Sequence, residues 1–333
     1  MPASVRDVAR AAGVSVGTVS NVLNKPDRVA PDTVARVQAA IERLGFVRNE
    51  AARQLRAGRS STIGIIVLDL GNPFFTELAR GAEERAREAG LSVLVAHSSD
   101  DPDRERASLD LFEEQRAFGV LLTPVAEDAA RLRRMRDRGI PTVLVDAKAA
   151  DPTFSSVAVD DLEGGRLAAA HLLALGRRRL VFAGGPATLP QVADRLDGAR
   201  RAVAAHRGAT LEHLDTPALT VEEGRRLGHR IAEREPAQRP DAIFAANDLV
   251  ALGVLQTFVM AGGIRVPEEI ALIGYDDIDF AAAAVVPLSS VRQPARLIGS
   301  TAVDLLSAQP SSPDSGRHLL FRPELVVRAS TAG

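Results

Sequence analysis

Apolar residues recur at helical spacing twice within the first 25 positions, at Val5, Val8, Ala9 and Ala12 and again at Val19, Val22 and Leu23. Residues so spaced share one face of a helix, so the pattern predicts two short amphipathic helices. Ser4 stands three residues before Asp7, a carboxylate variant of the capping box. Gly13 supplies the turn, because a residue without Cβ enters the left-handed region cheaply, and Ser15 is placed to cap the second helix. If that helix packs its apolar side on the first, Val16, Gly17, Ser20 and Asn21 are left on the opposite face. Two helices joined this way form a helix-turn-helix, whose second helix enters a DNA major groove. A third run, Val34, Val37, Ile41 and Leu44, opens at Pro31, where proline is tolerated in a first helical turn, and stops at Gly45. It predicts the helix that closes a three-helix headpiece. Asn49 can cap the next segment, EAARQLRAG, which is helix-prone but too short to hold alone in water.

From Thr62 the period alternates between strand and helix. Strands are expected at 63–67, 91–96, 120–122, 142–145, 180–183, 242–245 and 270–273. Helices are expected at 74–89, 103–118, 128–138, 162–175, 192–207, 221–234 and 249–261. Such βαβ repetition predicts parallel sheets covered on both faces, here in two α/β lobes of similar size. The fold class expected is a small all-α headpiece followed by two doubly wound parallel-sheet lobes. Ligands bind such sheets in the crevice beyond the carboxyl ends of the strands.

Composition narrows the function. The 333 residues contain no cysteine, which excludes disulfides and thiolate chemistry. The richest apolar run, Phe280 to Val286, stops at Pro287 and is far too short to span a bilayer. The N-terminus lacks a hydrophobic signal region, so a cytoplasmic protein is expected. The net charge of −2 hides an asymmetry: residues 1–60 carry ten Lys or Arg and five Asp or Glu, and the remainder carries 31 against 38. A basic head on an acidic body suits a DNA reader joined to a separate regulatory domain.

Enzyme chemistry finds little support. Gly13-Val14-Ser15-Val16-Gly17 matches the nucleophile-elbow pattern, which needs a strand before its serine, and here a helix precedes it. The six histidines lack metal-ligand spacing, and no Rossmann glycine fingerprint follows the first strand of either lobe. Neighbouring acids at 160–161 and 276–277 are read as crevice or solvated groups, since adjacent side chains at a strand end point apart. No catalysis, cofactor or metal is expected.

The chain resembles the lac repressor (LacI/GalR) family of bacterial transcription regulators along its whole length. The headpiece carries DVARAAGVS, TVSNVLN and ARQLRAG. The body carries NPFF at 72–75, VDDLEGGRLAAAHLLALG at 159–176, GGP at 184–186, RLDGAR at 195–200, ANDLVALG at 246–253, ALIGYDDI at 271–278 and PELVVRAS at 323–330. The resemblance implies a headpiece at 1–48, a hinge helix and linker at 49–61, and a periplasmic-binding-protein-like core at 62–333. The amino lobe would take about 62–159 and 291–321, the carboxyl lobe about 160–290 and 322–330. It implies a homodimeric regulator, in this family most often a repressor, on a pseudo-palindromic operator. DNA contacts are expected from Ser15, Val16, Gly17, Ser20 and Asn21, from a hinge capped by Asn49, and from Leu55 wedged into the minor groove. The matching crevice positions are Asp69, Phe74, Thr123, Asp146, Arg195, Asn247, Asp276 and Gln293, where a small-molecule effector, a sugar or sugar derivative, is expected. Paired donors and acceptors suit hydroxyls, which both give and take hydrogen bonds. Position 147, aromatic in the purine-responsive relative, is Ala147, which argues against a stacked purine. The chain runs out soon after Val327 without tetramer-forming leucine heptads, so a dimer is expected. Two other readings compete: a DNA-binding regulator controlled by a protein partner with a vestigial crevice, and a pure small-molecule binding protein.

Overall fold

The computed structural model describes residues 3–46, 60–261, 263–308 and 315–332. Asn49 and Leu55 lie outside them. The chain divides into two compact units, Met1–Arg59 and Ser60–Gly333.

The first unit holds helices α1 (Val5–Ala12), α2 (Val16–Asn24) and α3 (Pro31–Leu44), with a short 3-10 turn at Pro26–Arg28. The capping box forms as the sequence predicts. Ser4 Oγ accepts from the Asp7 backbone N–H at 3.3 Å, and Asp7 Oδ2 accepts from the Ser4 N–H at 3.0 Å. Gly13 has φ 65° and returns its N–H to the Ala9 and Arg10 carbonyls, so the turn sits in the conformation that glycine adopts most cheaply. Ser15 Oγ accepts from Thr18 N–H at 3.0 Å and starts α2. Ahead of α3, Ala30 makes no side-chain cap, and Pro31 alone marks the start. Val8, Ala9, Ala12, Val19, Val22, Val37 and Ala40 form a buried core that the three helices share.

The second unit contains twelve strands among its described residues. In chain order the amino-side elements are β1 (Thr62–Val67), α4 (Pro73–Glu88), β2 (Ser92–His97), α5 (Pro102–Glu114), β3 (Gly119–Leu122), α6 (Ala129–Asp137), β4 (Thr142–Val145) and β5 (Ser155–Val159). Then come α7 (Asp161–Ala174), β6 (Arg179–Ala183), α8 (Pro190–Ala204), β7 (Thr210–Leu214), α9 (Val221–Ala232), β8 (Ala242–Ala245), α10 (Asp248–Ala261) and β9 (Ala271–Asp276). The chain finishes with α11 (Asp279–Ala282), β10 (Ser289–Arg292), α12 (Ala295–Ala308), β11 (His318–Phe321) and β12 (Glu324–Val326). One six-stranded sheet has the order β11-β5-β4-β3-β1-β2 and is parallel throughout. The other has the order β12-β10-β9-β8-β6-β7, parallel except for β12 against β10. The chain passes between the sheets after β5, after β10 and after β11. The middle passage falls at Gln293–Pro294, because β10 stays paired with β9 as far as Arg292.

The central strands are mostly apolar, with Thr142 opening β4 and Asp276 closing β9, and every residue of β3, β4, β8 and β9 is buried. Strands covered by helices on both faces have no solvent side on which to place polar residues. The helices pair tightly, α7 on α8, α4 on α12 and α9 on α10. At each contact two glycines face one another's backbone. A Cβ on Gly165 would lie 2.0 Å from the Arg195 carbonyl oxygen, and one on Gly198 would lie 2.0 Å from that of Leu162. Gly81 with Gly299 and Gly224 with Gly253 repeat the arrangement.

Candidate functional site

In the first unit, α2 turns Ser15, Val16, Gly17 and Asn21 outward, all exposed, with Val16 at 42 %. Val19 and Val22 are buried beneath them, which fixes this face as the outer one. Ser20 is only half-buried, and the Asn24 side-chain amide donates to its carbonyl at 2.8 Å and to its Oγ at 3.3 Å. Arg6, Arg10, Lys25, Arg28 and Arg36 are exposed on the same unit, Arg10 at 3.6 Å from Asp7.

In the second unit a cavity of about 260 Å³ opens at the carboxyl ends of strands from both sheets. Asp69 and Asn72 follow β1, Phe74 and Phe75 begin α4, Ser99 and Asp100 follow β2, and Asp146 follows β4. From the other sheet come Gln191 and Arg195 on α8, Thr220 before α9, Asn247 after β8 and Asp276 at the end of β9. The six non-glycine residues with positive φ among those described include Ser99, Asp100, Asp146 and Asp276 on this wall, and Asp277 beside it. Left-handed backbone is unfavourable away from glycine, and its concentration in one cleft marks a site held for a purpose other than stability.

Asp69, Phe74, Asp146, Arg195, Asn247 and Asp276 thus meet around one space, as expected of groups at strand ends. Thr123 and Gln293 do not line it. Thr123 follows β3, 1 % exposed, with its Oγ1 unpartnered. Gln293 stands behind Asp276 and donates to its Oδ1 at 2.7 Å. Sequence reasoning missed Asn72, Ser99, Asp100, Gln191 and Thr220. Asn72 carried a signal, since its Oδ1 accepts from Phe74 N–H and caps α4 ahead of Pro73. Gln191 carried none.

Three cross-lobe residue pairs join the walls. Asn72 Nδ2 donates to Asp276 Oδ2 at 3.0 Å, Gln191 Nε2 donates to Asp146 Oδ2 at 3.1 Å and to its carbonyl at 3.0 Å, and Lys148 Nζ pairs with Asp194 at 2.8 Å. Arg195 is 4 % exposed. Its Nε donates to Asp161 Oδ1 at 2.8 Å, its Nη1 to the Ala246 carbonyl at 2.8 Å, and its guanidinium lies 3.7 Å above the Tyr275 ring. Burial opposes its charge, yet Asp161, with Tyr275, Asp276 and Asp146, holds it protonated more firmly than a free arginine. The Asp276–Asp277 pair separates, Asp276 toward Asn72 and Gln293, Asp277 toward Arg292 and Arg328. Among the described residues no group of three or more His, Asp or Glu is arranged to hold a metal ion.

Burial, with the charges of Asp161 and Asp276 added and that of Arg195 opposed, pushes the Asp146 carboxyl well above the ordinary carboxylate range. A raised folded pKa gives a contribution to stability that is whole below the unfolded value, near 3.8, and is lost as pH rises through the folded one. The ligand-free protein should therefore lose this increment from about pH 4 upward. Asp146→Asn should show a shallower fall in Tm with rising pH than the parent chain. Parallel Tm–pH curves for the two proteins would contradict the assignment.

Residues 4–49 match the family described as bacterial regulatory proteins, lacI family, and residues 169–331 match the periplasmic binding protein-like domain. Among curated proteins, the ribose operon repressor of Escherichia coli (strain K12) is 34 % identical over 333 residues, covering 98 % of this chain and 99 % of the relative. The HTH-type transcriptional repressor PurR of Photobacterium profundum is 32 % identical over 334 residues, covering 98 % of each. Among solved structures, the lac repressor dimer bound to operator and the anti-inducer ONPF superposes with a TM-score of 0.83 at 26 % identity, covering 100 % of both chains. A LacI family transcriptional regulator from Enterococcus faecium with bound ribose gives 0.73 at 25 % identity over 81 % of this chain and 98 % of that one. With an exposed recognition helix in its first unit, a two-sheet crevice in its second, and relatives that are repressors rather than enzymes, the chain belongs to the lacI family of bacterial DNA-binding transcription regulators.

Proposed function

We propose that the protein is a homodimeric repressor of a pseudo-palindromic operator, relieved or reinforced by a small polyol, a sugar or sugar derivative, bound in the crevice. The observation that carries the effector reading is a set of buried acceptors on both walls with nothing to accept from: Asp100 Oδ1, Asp146 Oδ1 and Gln191 Oε1. Buried polar atoms without partners cost about 1–3 kcal/mol each, so a site that retains them is built for a ligand that supplies donors. The same observation disfavours a vestigial crevice governed by a protein partner. The ribose operon repressor and the ribose-bound regulator among the relatives support a carbohydrate. Phe74 and Phe75, edge to face at 5.1 Å, add an apolar wall for the C–H face of a ring.

On the DNA side, Val16 and Gly17 are too small for bidentate contacts, which leaves Asn21 to read a base edge in the major groove. Asn49 and Leu55 would act in the hinge, Leu55 as an apolar wedge between base steps. Each subunit supplies one half-site. Apolar surface suited to a second copy exists on both lobes: Leu94 and Val95 on the edge strand β2, and Met260 and Phe280, 85 % and 60 % exposed. Sedimentation should give twice the chain mass, and a monomer at operator-binding concentrations would remove the two-half-site arrangement.

The reading is tested by selecting operators from random duplexes and measuring their affinity against salt with and without a panel of neutral and amine-bearing sugars. A salt-dependent preference for inverted repeats that shifts with one sugar is expected; indifference to every sugar, with intact operator binding, would return the protein-partner reading. Leu55→Ala should weaken operator binding by about tenfold or more while leaving effector affinity unchanged, since without the wedge the bend, and the contacts that the bend permits, are no longer held. Equal operator affinity of the two proteins would take the wedge out of the mechanism.

A further inference from the structure

Resting on the effector reading above, we infer that the crevice ligand carries a protonated amine on a polyol ring, as an amino sugar or aminocyclitol does. Charge is the first reason. Four carboxylates line the cavity, Asp69, Asp100, Asp146 and Asp276, against one guanidinium, Arg195, which is engaged by Asp161. Lys148, outside the lining, is held by Asp194. An anionic ligand, such as a sugar phosphate, would add negative charge beside carboxyls already held up by burial, whereas a cation would draw those groups back to their charged forms.

Hydrogen-bond stoichiometry is the second reason and is independent of the first. Most amide donors are engaged inside the protein: both N–H groups of Gln191 on Asp146, and one each of Asn72 on Asp276 and of Asn247 on the Leu219 carbonyl at 3.2 Å. The unmatched atoms, Asp100 Oδ1, Asp146 Oδ1 and Gln191 Oε1, are all acceptors. Asp146 and Gln191 are 3 % and 6 % exposed, so leaving these atoms unpaired is costly. A hydroxyl brings an acceptor with every donor. An ammonium brings three donors, no acceptor and a charge of the sign the wall lacks. Hydrogen bonds to an ionised donor are also about twice as strong as neutral ones.

The remaining wall sets the scaffold. Leu68, Phe74, Phe75, Leu189, Val192 and Leu219 are apolar, so the amine is carried by something with a C–H face. The cavity, about 260 Å³, lies near the small end of ligand pockets and suits a single ring. Burial and the nearby charge of Asp69 raise the Asp100 carboxyl, and burial raises that of Asp276, as a cluster awaiting a counter-cation would show.

Calorimetry on the full chain with glucose, galactose and mannose, their 2-amino-2-deoxy counterparts, the N-acetylated amines and the 6-phosphates tests this. At least one free amine should bind about ten- to a hundredfold tighter than its parent sugar, the gain of one or two charged hydrogen bonds. N-acetylation should erase the gain, and the phosphates should not bind. Asp100→Asn should lower the affinity for the amine by a larger factor than that for its parent sugar, which separates lost charge from lost fold. A parent sugar that binds as tightly as its amine, or a phosphate that binds at all, overturns the ammonium and leaves the sugar-effector reading standing. Binding by no member of the series overturns both.

Discussion

Arg195→Ala should abolish effector binding and lower the stability of the second unit by roughly 3–5 kcal/mol, the usual cost of removing one partner of a buried ion pair. Three interactions disappear together: the Asp161 pair at 2.8 Å, the bond to the Ala246 carbonyl and the contact with the Tyr275 ring. Asp161, itself 5 % exposed, would keep its burial without its counter-charge and take up a proton instead. In a unit of this size the loss corresponds to a fall in Tm of about 10 °C. Arg195→Lys should not restore it, because a point charge cannot reach Asp161 and Ala246 in the forked geometry of a guanidinium. The headpiece has its own core, so its own melting should be unaffected. A thermal scan of Arg195→Ala that overlays the parent, or an unchanged effector titration, would show that the arginine neither braces nor lines the crevice as described.

The second large effect is expected from a single methyl group. Gly165→Ala would place Cβ about 2.0 Å from the carbonyl oxygen of Arg195, an approach real side chains do not make, so α7 and α8 must separate. Overpacking of this kind costs about 1–3 kcal/mol. The functional cost should exceed the structural one. Helix α8 carries Gln191 and Val192 as well as Arg195, and a shift of its first turns moves three crevice residues and the Gln191–Asp146 bridge together. Effector affinity is expected to drop by about a hundredfold or more, as misplacement by an ångström does elsewhere. Calorimetry and a thermal melt on the same preparation check both halves. A variant with parental Tm and parental affinity would mean that the helices do not pack through that glycine.

The headpiece was legible almost to the residue because everything that fixes it is local. Ser4 with Asp7, Gly13, Ser15 and Gly45 lie within a turn or two of the backbone groups they satisfy. The body was legible where burial is complete. Strands 142–145 and 242–245 coincide with β4 and β8, whose every position is apolar or small and buried. It was illegible at three of the four sheet edges and at the inner strands β5 and β10, while the edge strand β2 was read. β7, reading TLEHL, and β12, only three residues long, present polar groups to solvent and lack the run that marks a covered strand. Crevice residues followed the same division. Asp69, Asp146 and Asn247 stand just past a recognisable strand, Asp276 at the end of one, and all four could be read. Gln191 sits on a helix and becomes part of the wall only through a bond to Asp146, 45 residues away in sequence. Arg195 was legible as a crevice residue, but its internal duty, bracing Asp161, Ala246 and Tyr275, is a property of the folded core alone.

The last strand of the first sheet has a consequence for how the molecule comes into being on the ribosome. β11 docks beside β5, and the Ser156–His318 bond joins residues 162 apart in the chain. The helical head needs nothing beyond its own few dozen residues and is free to fold as soon as it emerges, whereas the sheet that begins at Thr62 waits for nearly all of synthesis to receive its final member. A nascent chain thus completes its DNA-binding fold well before the crevice proposed as the effector site exists, and stalled or clipped products would carry the head without the sheet that completes that crevice.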